Sequence, residues 1–131
     1  MSEYPTDEGT PIPFVKIYGD LIVAPAPTVH VGDDVFLFVE LINMGTAPTR
    51  HGDQLWGSLC YGGTVFQQEH VDFPEIGPNG STWKHAFKFE GRHVMVEGDW
   101  MLAASVTNAG TIGEVQDDGR VDFVVSPREN Q

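Results

Sequence analysis

The stretch TRHGD sets Arg50, His51 and Asp53 within four residues of one another. A histidine beside a carboxylate is the pairing used for proton transfer and for activating a nucleophile. A second pairing is His70 with Asp72; two residues apart on a strand, they face the same side, as two ligands of a transition metal would. Together with Trp56 these define a candidate pocket at one end of the domain: His51, Asp53, Trp56, His70 and Asp72. Carboxylates also cluster at Asp33-Asp34, and at Glu114 with Asp117 and Asp118, the second being the candidate calcium site. Calcium asks for six to eight oxygens, and the D-x-D-x-D-G spacing of an EF-hand loop is missing.

Each set has a plainer reading. Arg, His and Asp on a surface loop are more often solvated than catalytic. The five histidines form no H-x-x-x-H or H-E-x-x-H, and Ser58, Ser81 and Ser105 sit in no G-x-S-x-G. Cys60, the single cysteine, lies in an apolar run where a buried thiol acts as a small hydrophobe, and it allows no intrachain disulfide. His85 shares a strand face with Trp83 and Phe87, as a packed histidine would. The expectation is therefore no cofactor, with calcium as the one ion to test, and no catalytic residue.

Bulk properties narrow the classes further. A chain of 131 residues with 40% hydrophobic content is one domain able to bury a core. Nineteen acidic residues against seven basic ones give a formal charge of -12, which repels phosphate backbones and anionic membranes. Nucleic acid is excluded as the expected partner. No positive segment followed by an apolar one opens the sequence, and no apolar run nears the length of a membrane span, so a soluble chain without membrane insertion is expected.

The elements that must position these residues are strands. Fifteen glycines and nine prolines punctuate short runs rich in Val, Phe, Leu, Ile and Trp, and helical periodicity is almost absent. Residues 1–18, with Pro5, Pro11 and Pro13, read as an extended N-terminal arm; residues 19–126 read as the domain and 127–131 as a tail. DLIVAPAPTVHV reads as an edge strand interrupted by Pro25 and Pro27. DVFLFVELIN is the clearest strand, followed by QLWGSLCY, a Gly62-Gly63 turn and TVFQQEHVDF. In TWKHAFKF, Trp83, His85, Phe87 and Phe89 point one way and Thr82, Lys84, Ala86 and Lys88 the other. GDWMLAASVTN, TIGEV and RVDFVV complete seven or eight strands, the layout of an all-β, antiparallel immunoglobulin-like sandwich.

Three stretches, in this order, resemble CARDB-type (cell adhesion related) immunoglobulin-like domains. They are DLIVAP…VHVGDDVFLFVELINMGTAPT, FPEIGPNGSTWKHAFKF and GDWMLAASVTNAGTIGEVQDDGR, spanning residues 20–125. The resemblance implies a sandwich that is usually non-catalytic and often one module among several. It also suggests a cation at the last acidic corner, where this chain keeps Glu114 but carries Asn108-Ala109-Gly110 and Asp117-Asp118-Gly119.

One feature of the long strand goes beyond a plain sandwich. Val35, Leu37, Val39 and Leu41 fill one face, yet Phe36, Phe38 and Ile42 make the opposite face apolar too. A sheet in a two-layer sandwich buries one face. The second is expected either to be covered by the arm, with Tyr4 and Phe14, or to be a contact patch for a protein partner or a second copy. The functional expectation is a non-catalytic interaction or structural module, a subunit or decoration protein of a larger particle such as a virion or cell-surface structure. The alternatives are a small enzyme or ligand-binding protein using the pocket above, and a calcium-stabilised adhesion module.

Overall fold

Strand β4 (Val35–Asn43) is long enough, and alternates regularly enough, to organise one layer. In the computed structural model, which describes residues 11–107 and 115–128, its odd-numbered residues Val35, Leu37, Val39 and Leu41 are buried. On one side it pairs antiparallel with β7 (Ser81–Phe89) over its whole length, Val35 opposite Phe89 and Asn43 opposite Ser81. On the other side lie two short segments, β1 (Val15–Ile17) and β2 (Ile22–Ala24).

β1 and β2 are one edge strand with an interruption. Ile17 pairs with Leu41 and Ile22 with Phe38, so four residues on the edge face two on β4. The surplus is taken up around Gly19, whose φ of 77° is a backbone region that side chains disfavour.

The chain then changes layer. The stretch expected to be one interrupted strand, residues 20–31, divides: β2 stays in the first sheet and β3 (Val29–His30) pairs parallel with β9 (Val115–Ser126) in the second. Pro25 and Pro27 lie at the crossing, where proline's missing N–H costs no ladder bond. With Val15–Ile17 contributing a further strand, the count among the described residues is nine, against the seven or eight expected.

The second sheet runs β3-β9-β8-β5-β6, with β5 (Gln54–Tyr61), β6 (Thr64–Asp72) and β8 (Gly98–Thr107) antiparallel neighbours. Gly62 and Gly63 close the β5–β6 hairpin at φ 60° and 83°, the two positive angles that a type I′ turn needs. β9 is continuous from Val115, so RVDFVV is the second half of a longer strand, while most of TIGEV lies outside the described residues.

Between the layers pack Leu37, Leu41, Leu55, Leu59, Leu102 and Val106, closed at one end by Trp100 and Phe89. Each such side chain contributes about 1.5–3 kcal/mol through removal from water. Gly57 lets the sheets meet, because a Cβ there would come within 2.6 Å of the Phe87 ring.

Candidate functional site

Asn43 ends β4 fully buried, and the loop after it is built around its amide. Its Nδ2 donates to the Ala47 carbonyl at 2.8 Å and the Ile76 carbonyl at 3.1 Å. Its Oδ1 accepts from the Gly45 N–H at 2.9 Å and the Phe14 N–H at 3.1 Å. All four capacities of the amide are used.

Backbone bonds tie the arm to the same loop: Met44 N–H to the Phe14 carbonyl and Thr46 N–H to the Ile12 carbonyl, both 2.8 Å. Gly45 makes that approach feasible, since a Cβ there would sit 2.2 Å from the Ile12 oxygen and 2.6 Å from the Phe14 nitrogen. Gly45→Ala is therefore expected to push residues 12–14 off the loop and destabilise the fold by about 1–3 kcal/mol. Limited proteolysis will show it, with cleavage in residues 11–18 accelerated before the domain itself is cut.

The catalytic candidates of this loop do not assemble. Asp53 is buried, its carboxylate accepting from the Arg50 N–H at 3.2 Å while its own N–H donates to the Arg50 carbonyl, which makes it the brace of the turn. His51 lies exposed at the tip. Trp56, His70 and Asp72 do come together, on the outer face of the second sheet rather than around Asp53. Trp56 and His70 are register partners with rings stacked at 4.5 Å, and Asp72 accepts from Gln54 Nε2 at 2.8 Å. His85 packs between Trp83 and Phe87, and burial lowers its pKa, which favours the neutral imidazole. Burial raises the Cys60 thiol, as for an unreactive cysteine.

Three of the clustered acids, Asp33, Asp34 and Asp117, hold the backbone. Asp33 accepts from the His30 N–H at 2.8 Å and pairs with Arg128; the backbone bond foremost, then the arginine, holds its carboxyl below the ordinary range against an opposing effect of burial. Asp34 accepts from the Gly91 N–H at 2.8 Å. Asp117 accepts from the Ile17 N–H at 2.8 Å and Gln116 from the Val15 N–H at 3.0 Å, so β9 side chains satisfy the outward N–H groups of the β1 edge. Asp118 is exposed, and Glu114 lies outside the described residues. Among the described residues no three His, Cys, Asp or Glu side chains group as metal ligands would.

What stands out is the outer face of the first sheet. Its rows across the strands read Lys16–Ile42–Thr82, Glu40–Lys84, Ile22–Phe38–Ala86 and Ala24–Phe36–Lys88. Phe38 is 42% exposed, Ile22 58% and Tyr18 51%, around a groove of about 740 Å³ that opens where the edge strand is interrupted. Phe36 and Ile42 are half-buried beside them, and Phe14 is exposed with Lys16 Nζ 5.8 Å from its ring. The described part of the arm lies along the edge of β4 and leaves this face open; Tyr4 is outside the described residues. The sequence marked Phe36, Phe38 and Ile42 but missed Tyr18, Ile22 and the lysines. Their signal was the alternation of β7 together with a strand pairing that no local pattern encodes.

Comparison with known proteins bears on the fold. No protein-family model and no curated protein matches the sequence. Solved structures do. The CARDB domain of a Pyrococcus furiosus protein, crystallised in complex with di-metal ions, is 19% identical, with a TM-score of 0.60 over 94% of this chain and 100% of that one. A putative β-galactosidase from Bacteroides fragilis matches at 16% identity and TM-score 0.60, over 82% of this chain and 17% of its own. The C-terminal domain of wzt matches at 10% identity and TM-score 0.60, over 88% of this chain and 79% of that domain. The protein has the immunoglobulin-like fold of a CARDB domain, an architecture that these matches show as one domain of larger proteins. No helix among the described residues is long and apolar enough to cross a membrane.

Proposed function

We propose that this chain is a non-catalytic interaction module that works through the outer face of its first sheet, as a subunit or decoration protein of a larger particle such as a virion or cell-surface structure. One observation carries the reading: Tyr18, Ile22 and Phe38 stand exposed together around a groove on the outer sheet face, with Phe36 in the neighbouring row and Ile42 beyond the Glu40–Lys84 pair. Contiguous exposed apolar surface rimmed by polar residues is a common mark of an interaction site. The commitment of Asp53, Asp33, Asp34 and Asp117 to backbone N–H groups supports the same reading, because these carboxylates serve the fold.

The test is the double substitution Phe36→Ser/Phe38→Ser. Both side chains face outward, so the melting temperature is expected to change by a few degrees at most, while assembly or partner capture from the native source falls at least tenfold. A variant that keeps its partners at wild-type levels removes the proposal.

A further inference from the structure

The two outer faces of this sandwich differ in charge, and the difference is a matter of placement. All three lysines of the sequence, Lys16, Lys84 and Lys88, stand on the outer face of the first sheet. The carboxylates there are Glu40, directly opposite Lys84, and two at the rim, Asp20 beside the groove and Asp34, which lies 3.6 Å from Lys88 Nζ. In a chain of net charge -12 this is the face where cations gather.

The outer face of the second sheet is its counterpart. Its rows read His70–Trp56–Ser105–Asp118 and Gln68–Ser58–Ala103–Arg120, then Cys60–Met101–Asp122 and Asp99–Val124. Asp118, Asp122 and Asp99 are exposed there, with Arg120 as the cation among them. Beside Asp99 and Asp122 runs a depression of about 600 Å³ lined also by Met101, Val124, Cys60 and Arg120. Val124 is 57% exposed. One face thus presents exposed apolar side chains, Phe38 and Ile22, around a groove with lysines beside it. The other presents a shallow apolar depression framed by aspartates.

We propose that the occupant of the first-sheet face is a second copy of this chain, docked by the outer face of its second sheet. The exposed apolar side chains Phe38 and Ile22 of one copy lie against the depressed second-sheet face of the next, and the lysines around them meet its exposed aspartates. The two faces lie on opposite sides of the sandwich, so the contact is head-to-tail, and repeating it builds an open row rather than a closed dimer. A three-stranded face is small, roughly 15 Å by 30 Å, so a single contact is weak and association appears at high protein concentration or within an array. The inference rests on the reading that the first-sheet face is a contact surface, and it names the partner.

Charge reversal tests it. Sedimentation velocity is run on wild type, on Lys84→Glu/Lys88→Glu and on Asp118→Lys/Asp122→Lys, each up to millimolar concentration at low and at high salt. All four substituted side chains are exposed, and thermal melts confirm that both variants fold. Wild type is expected to form dimers and longer species that weaken at least tenfold in high salt. Each variant alone is expected to sediment as a monomer, and their equimolar mixture to associate again, because the acidic second-sheet face of one meets the lysine face of the other. Monomeric wild type throughout, variants that associate like wild type, or a mixture that stays monomeric would each overturn the proposal. If wild type is monomeric yet still captures a foreign protein in a Phe38-dependent way, self-stacking fails while the interaction reading stands.

Discussion

Asn43→Ala is expected to destabilise the domain by about 3–5 kcal/mol, since it strips hydrogen-bond partners from four backbone groups at one buried point. The Phe14 and Gly45 N–H groups and the Ala47 carbonyl end on this one amide, as does the Ile76 carbonyl, which also accepts from the Thr49 N–H, and the residue has no exposed surface. At about 3–5 °C per kcal/mol for a chain of this length, the melting temperature should fall by roughly 10–20 °C. Asn43→Asp separates geometry from volume. It keeps the shape and the acceptor facing Phe14 and Gly45, but turns a second oxygen toward the two carbonyls. Asn43→Asp should therefore be no more stable than Asn43→Ala at neutral pH and recover part of the loss as the carboxyl protonates in acid. Melts of both variants from pH 7 down to pH 4 check this.

Trp100→Ala is expected to cost about 3–5 kcal/mol, the range for emptying a large aromatic site in a core. Trp100 is 2% exposed, lies against Tyr61 at 4.8 Å, Phe66 at 5.5 Å and Phe123 at 6.4 Å between ring centres, and donates its indole N–H to the Val96 carbonyl at 2.7 Å. Trp100→Phe keeps much of the packing and loses that one bond, so its cost should be about 1–2 kcal/mol. Denaturant unfolding gives both values. A loss for Trp100→Phe equal to that for Trp100→Ala would mean that the bond to Val96, rather than the packing, closes this end of the core.

Much of this architecture was legible residue by residue. The alternation of Val35, Leu37, Val39 and Leu41 against Phe36, Phe38 and Ile42 is a period of two, and period fixes which side chains share a face. The Gly62-Gly63 turn was legible for a similar reason: two adjacent positive φ angles favour glycine. The break between β2 and β3 was legible as two prolines but not as a change of sheet, because proline reports a missing donor and says nothing of where the chain goes next. Val15–Ile17 reads as part of the arm because Pro5, Pro11 and Pro13 punctuate residues 1–18; its strand character comes from pairing with β4 and from Gln116 and Asp117, about a hundred residues away in sequence.

The site candidates divide on the same line. His70 and Asp72 share a face as their spacing requires, and Trp56 joins them by register. Arg50, His51 and Asp53 are neighbours in sequence, yet a turn sends Asp53 inward and His51 outward, and turn geometry is decided by bonds such as that from the Arg50 N–H to Asp53. The outer face of the first sheet combines what was legible, Phe36 and Phe38, with what required tertiary pairing, Tyr18, Ile22 and the three lysines.

The interaction reading is tested most directly by hydroxyl-radical footprinting of the protein, free and within the assembly isolated from its native source. Tyr18, Ile22, Phe36 and Phe38 should be labelled in the free chain and protected several-fold in the assembly, with Ile12 and Met95 at other exposed positions little changed. Equal labelling of the four in both states, with protection falling instead around His51 and the Trp56–His70 pair, would contradict it.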